Sequence, residues 1–207
     1  MRSKLKALVL CLLQLSCILF LTSCLPRTIQ KDIGLTPAGV SNKIPLKAGL
    51  YLTTEFKNAR YPLRGGHRVL GLPSAGDALS SNSENIISDI FQEAVTLGPT
   101  EITSASLSQK CDVIITPEVI RLHLEEQATI PGRCVAQTFI KWNIVSLDGK
   151  EIYVTTIKSD EIIIYRHRKV ERCIVPALKD NFEKAREDIY SSGWWKKQWW
   201  KKGEQEK

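Results

Sequence analysis

Apolar residues fall into three kinds of run along this chain. The first is continuous: MRSKLK, with cations at Arg2, Lys4 and Lys6, leads into ALVLCLLQLSCILFLT, sixteen residues broken only by Gln14, Ser16 and Thr22. The second kind alternates with polar residues and marks strands; the third recurs every three or four residues and marks helices. Residues 25–45 show neither period and carry three prolines and two glycines. They read as a tether that, fully stretched, would reach about 65–75 Å.

After the tether, Gly49 to Phe56 is the first expected strand, and RYPLRGGHRVLGLPSAGDAL a loop. Its glycines are not followed by Gly-Lys-Ser/Thr, and His67-Arg68 is no substitute, so a phosphate loop is excluded. Ser81 with Glu84 forms a capping box. Ile86, Ile87, Ile90, Phe91, Ala94 and Val95 then share one helical face, which Gly98-Pro99 ends. A short strand is expected at Glu101 to Ser104 and a long one from Cys111 to Gln127, with Pro117 implying an edge or a bulge. Beyond Pro131-Gly132, CVAQTFIKWNIVSL meets Asp148-Gly149 and returns as KEIYVTTIKSDEIII, a hairpin signal. Pro176 opens a last helix with Leu178, Phe182, Ala185 and Ile189 as its stripe; a start near Val170 with Pro176 as a kink is the alternative. Gly193 closes it.

Strand, helix, strands, hairpin and helix in that order predict an α+β domain. Its expected form is a mixed or antiparallel sheet of four or five strands with two helices on one face, preceded by a signal peptide and tether. The expected boundaries are 1–23 for the signal peptide, 24–45 for the tether, 46–192 for the domain and 193–207 for a flexible tail rich in Trp and Lys.

The continuous run at the start is a secretion signal. Sixteen helical residues span about 24 Å, short of the roughly 30 Å hydrocarbon core, so a permanent span is the weaker reading. The run ends in Leu21-Thr22-Ser23-Cys24, which resembles the lipobox of bacterial lipoproteins. That resemblance implies cleavage between Ser23 and Cys24 and a Cys24 that carries diacylglycerol and an amide-linked acyl chain such as palmitate. More than one acyl chain gives stable attachment to membrane lipid. Leu25 follows where an Asp commonly retains the family at the inner membrane, so the resemblance implies the periplasmic face of the outer membrane. The inner membrane and the cell surface are the alternatives.

Charge matters less than its total suggests. Of the formal +7, three cations leave with the signal, and Lys196, Lys197, Lys201 and Lys202 account for as many charges as then remain. The globular part is close to neutral, so nucleic acid is not an expected partner. Three cysteines survive into the body of the chain, Cys111, Cys134 and Cys173. An oxidising compartment permits one disulfide among them, with all three pairings open, and no spacing suggests a metal site.

The histidines point to no enzyme. His67 lies in the glycine loop, His123 faces outward with Glu125 from a strand whose Leu122 and Leu124 face inward, and His167 stands among Arg166, Arg168 and Lys169. Neither a nucleophile elbow nor a zinc-protease helix motif is present. No cofactor is expected beyond the lipid on Cys24.

Four of the five tryptophans stand in GWWKKQWWKKG. At 100° per residue Trp194, Trp195, Trp199 and Trp200 fall at about 0°, 100°, 140° and 240°, with the lysines interleaved at about 80°, 200°, 300° and 340°. An odd repeat of five mixes the faces of a strand as well. The expected reading is a flexible segment outside the fold in which Trp194, Trp195, Lys196, Lys197, Trp199, Trp200, Lys201 and Lys202 contact a membrane surface or a partner protein.

A tethered domain of this element order, with a hairpin around Leu-Asp-Gly-Lys, resembles the small outer-membrane assembly and accessory lipoproteins, among them the lipopolysaccharide-assembly lipoprotein and the activators of peptidoglycan synthases. The resemblance implies a non-enzymatic accessory module in envelope assembly or maintenance with an envelope protein as partner. A structural subunit of a secretion or appendage complex and a periplasmic envelope-modifying hydrolase are the alternatives.

Overall fold

A computed structural model of the chain describes residues 29–37, 42–64, 74–127, 132–165 and 171–197. The lipobox, His67, the run from Arg166 to Lys169 and the second Trp-Trp pair lie outside them.

The fold is α+β with a mixed sheet. Strands β1 (Ile44–Tyr51), β2 (Leu63–Arg64), β3 (Phe91–Leu97), β4 (Val113–Gln127), β5 (Arg133–Ser146), β6 (Glu151–Lys158) and β7 (Ile162–Tyr165) belong to one sheet. Its path is β3-β1-β4-β5-β6, with β2 beside β4 and β7 beside β5. The five-strand path matches the expected count, and two short strands add to it. Pairing is parallel among β3, β1, β4 and β2 and antiparallel from β4 onward.

Helices α1 (Thr54–Lys57), α2 (Gly76–Ile90), α3 (Leu107–Lys110) and α4 (Glu171–Ser191) complete the order. The two long ones, α2 and α4, cover one sheet face and bury Ile44, Leu46, Ala48, Leu50, Ile140, Trp142 and Ile144 beneath them. Short α3 sits over the opposite face, where Leu97, Leu107, Cys111 and Ile114 make a second, smaller cluster.

Several local readings change. The first strand begins five residues earlier than expected, because Ile44 and Leu46 already alternate inward, and Thr54–Lys57 turns helical under a Thr53 cap. Helix α2 starts at Gly76, not at the Ser81 capping box, and Ser81 is interior to it. Its buried face runs Ala78, Leu79, Asn82, Ser83, Ile86, Ile87 and Ile90. Two polar residues lie on that face and donate to backbone carbonyls: Asn82 Nδ2 to Ala78 O and Lys31 O at 2.7 Å, and Ser83 Oγ to Leu79 O at 2.8 Å, while Asn82 Oδ1 is buried without a partner. The helix stops at Ile90, since Phe91 turns extended and pairs with Ile44; Ala94 and Val95 therefore belong to β3. Residues 101–104 form turns rather than a strand. The return strand of the hairpin splits at Ser159 into β6 and β7, both against β5.

Pro176 lies inside α4 and not at its start, where its missing N–H forgoes one helical bond. The predicted stripe of Leu178, Phe182, Ala185 and Ile189 is buried. Asn181 reaches from the same face, its Nδ2 donating to Ile157 O at 2.8 Å and Thr138 O at 3.1 Å. Cys134 and Cys173 form the disulfide, with Cα atoms 6.3 Å apart, tying the start of β5 to the first turn of α4. Cys111 is a buried free thiol.

The tether is shorter than its composition suggests. Ile29 and Ile33 are buried in the main core. Ile29 N donates to Ser74 O at 3.1 Å, Thr36 N to Glu183 Oε1 at 3.2 Å, and Arg186 Nη1 donates to Thr36 O. Residues 29–37 thus form a strap over the two long helices, where apolar Ile29 and Ile33 outweigh the Pro and Gly content around them.

Candidate binding groove

Strand β4 carries a change of phase. Before Val119 the odd positions Val113 and Ile115 enter the core; after Arg121 the even positions Leu122 and Leu124 do. Period-2 geometry forbids that in an unbroken strand, so one residue must be extra. It is Ile120: Val119 faces Ile140 and Arg121 faces Phe139, with the register shifting between them. The sequence TPEVIRLHL carries this phase change in plain sight. The expectation of an edge or bulge at Pro117 captured its neighbourhood.

The edge expectation also has a counterpart. β1 pairs with β4 only at Val113–Ile115, and β2 only at Leu124 and Glu125. From Pro117 to Leu122 the strand has β5 on one side and, among the described residues, no strand on the other. The connecting chain bows outward there through α1 and residues 58–62. It is fixed by Phe56 and Tyr61, both fully buried, and by Ala75 N donating to Ala59 O at 2.9 Å. Gly76 abuts this turn so closely that a Cβ on it would lie 1.6 Å from Lys57 O.

Between the bowed segment and the edge of β4 lies a groove of about 440 Å³. Phe56, Ala59, Pro62, Val119, Ile120 and Leu122 give it apolar walls, and Glu55, Arg60, Glu118 and Arg121 supply both signs of charge around them. Ile120 is 51% exposed, an unusual degree for a large aliphatic side chain in a central strand. Glu55, Arg60 and Glu118 make no ion pair among the described residues. Behind the groove the Tyr61 hydroxyl is buried without a hydrogen-bond partner, and burial pushes its pKa well above the ordinary value.

The other polar clusters are structural. Lys184 Nζ bridges Asp160 Oδ1 at 2.6 Å and Asp180 Oδ2 at 2.9 Å, pinning the β6–β7 break to α4. Tyr153 Oη donates to Asp188 Oδ2 at 2.6 Å; burial and that carboxylate raise its pKa. Among the described residues no group of His, Cys, Asp and Glu is arranged to hold a metal. His123 lies on the outer face as expected, its Nε2 3.9 Å from Glu125 Oε2.

The expected contact residues of the tail divide. Trp194 is 5% exposed and its ring stands 6.3 Å from Phe91, so it belongs to the core and is not free to meet a membrane. Trp195 is partly buried against the same core, and its Nε1 donates to Tyr190 O at 3.5 Å. Lys196 and Lys197 are exposed. Gly193, at φ 64°, turns the chain back so that Trp194–Lys196 forms a single 3₁₀ turn. Trp199, Trp200, Lys201 and Lys202 lie outside the described residues. A uniform tail from residue 193 is thereby replaced by a fold that continues through Lys197. Neither helical nor strand periodicity could signal this, because a reversing turn buries one ring without using either.

No protein-family model matches the chain, nor does any curated protein sequence. Solved structures are similar in shape. Protein XCC0632 from Xanthomonas campestris, of family model DUF330, superposes with a TM-score of 0.50 at 9% identity, covering 79% of this chain and 91% of that one. A putative neuraminyllactose-binding hemagglutinin homolog from Helicobacter pylori gives 0.47 at 5%, covering 81% and 97%. A minor lipoprotein from Acinetobacter baumannii gives 0.37 at 8%, covering 70% and 91%. At such identity the first shares a fold and nothing finer, and the other two are too loose to add to it.

Proposed function

We propose that this protein is a non-enzymatic, lipid-anchored accessory protein of the bacterial envelope, held at the periplasmic face of the outer membrane and binding an envelope protein during assembly or maintenance. The observation that carries the reading is the placement of Leu21-Thr22-Ser23-Cys24 immediately ahead of a docked strap. Cys24 stands five positions ahead of buried Ile29, so the acylated cysteine would lie at most about 18 Å from the domain. The leash is short and the domain sits close to its membrane. Among the described residues no helix is long and apolar enough to cross a membrane.

The strap also orients the molecule. Ile29 meets Ser74 just before α2, whereas Trp194 meets Phe91 just after it, and fifteen helical residues place these ends about 22 Å apart. Ile29, five positions after Cys24, and Trp194 therefore stand at opposite ends of α2. With α2 lying along the membrane, both of these ends would stand beside it.

Replacing Cys24 with Ala should move the protein from the membrane fraction to the soluble periplasm and abolish labelling by radioactive palmitate. Retained label would sink the assignment. A chain ending at Lys197 keeps the buried Trp194 and isolates the second Trp-Trp pair: unchanged membrane retention at high salt together with unchanged partner recovery would remove any role for that pair.

A further inference from the structure

We propose that the groove beside β4 receives an extended polypeptide segment of a partner protein, which enters as an added strand between β1 and β2. The proposal deepens the accessory reading and rests on it for the setting of the partner, while its geometry stands on the fold alone.

The shape of the gap selects the occupant. β1 and β2 run parallel to β4 along the same edge, one ending opposite Ile115 and the other beginning opposite Leu124. A segment in the gap continues a line of sheet that already exists at both ends. Six residues, Pro117 to Leu122, give roughly 20 Å of strand, enough for a partner segment of about five residues. Backbone amides repeating at strand spacing are matched by another backbone and poorly by a lipid or a sugar. Pro117, which has no N–H to offer, stands at the end of the gap next to β1.

The side chains agree with the backbone. The bulge turns Ile120 out of register with β5 and leaves it half exposed in the groove, opposite the wall of Phe56, Ala59 and Pro62. That is a slot for one apolar side chain of the incoming strand, since alternate residues of an added strand point to the same side. Glu55 and Glu118 together with Arg60 and Arg121 balance in charge. A phosphate or an anionic headgroup would meet as much repulsion as attraction, whereas a polypeptide with residues of both signs finds a counterpart for each.

The test uses the mature chain in detergent micelles and a phage-displayed library of random peptides of about twelve residues, followed by hydrogen–deuterium exchange on the complex. Expected are peptides with an apolar residue in a strand-forming run that slow the exposed amides between Glu118 and Leu122 by about tenfold or more. Methylating alternate backbone nitrogens of such a peptide should weaken it by about tenfold or more, as should Ile120→Asp, while Val95→Asp on the outer edge should not. Failure to select any peptide would overturn the proposal. So would peptides indifferent to N-methylation, or amides in this stretch that exchange as slowly in the free protein as those facing β5. Protection that rises with protein concentration alone would assign the groove to a second copy and overturn it equally. Loss of membrane attachment in Cys24→Ala is read separately, so failure of the lipoprotein reading and failure of the docking site are distinguishable.

Discussion

Strands β3 and β4 each leave an edge without a strand partner among the described residues, and they differ in what surrounds it. β3 is the last strand of the path, and five successive residues, Gln92 to Thr96, are exposed on both faces, with Glu93 held to Lys47 at 2.9 Å. β4 is central, yet its stretch from Pro117 to Leu122 has, among the described residues, no strand on one side and is walled there by Phe56, Ala59 and Pro62. The first edge is lined by exposed residues; the second opens into an apolar slot.

That contrast can be broken from either side. Trp194→Ala removes the ring that packs on Phe91 at the root of β3 and should cost about 3 to 5 kcal/mol, the usual loss for a buried aromatic. Chemical denaturation measures the loss, and exchange should quicken in β3 more than around the groove. Gly76→Ala does the reverse. Its Cβ cannot share space with Lys57 O, so α1 must shift, at about 3 kcal/mol, and binding in the groove should fall with it.

Smaller effects separate the groove from its support. Tyr61→Phe deletes a buried, unpartnered hydroxyl and should stabilise the protein by about 1 kcal/mol. The same substitution bears on alkaline stability. Burial raises the folded-state pKa of Tyr61, and burial with Asp188 raises that of Tyr153, so the folded form favours the neutral phenols. Their contribution is complete below the unfolded tyrosine value near 10 and is lost as pH rises through the higher folded values. Thermal melts above pH 10 should therefore fall less steeply in Tyr61→Phe than in the parent; an identical slope would mean that this phenol ionises freely in the fold. Least of all, Ile120→Asp and Val95→Asp should each change stability by less than about 0.5 kcal/mol, both being exposed, so that a difference in peptide binding between them reports the groove itself.

Much of the frame was legible because it depends on local pattern. The hairpin around Asp148-Gly149, the inward Leu122 and Leu124, the stripe of α4 and the stop at Gly193 each follow from period and turn chemistry. The misreadings share one cause. Ile29 and Ile33 were buried by two helices far along the chain, and Trp194 by Phe91. None of those partners is visible in a local window. At the candidate site, the change of phase from Val119 to Leu122 was readable, and the groove was not, because it depends on where β1 ends and β2 begins.

The sequence by itself determined the α+β class and the phases of the long strands, since these rest on periods of two and 3.6 residues. Tertiary structure decided which cysteines join, that Ile29 and Ile33 pack into the core, which tryptophan is core and where, among the described residues, β4 lacks a neighbour. Each of these is a matter of what lies beside a residue once distant segments pack, and hydrophobic burial, having no direction of its own, selects those neighbours only in the assembled fold.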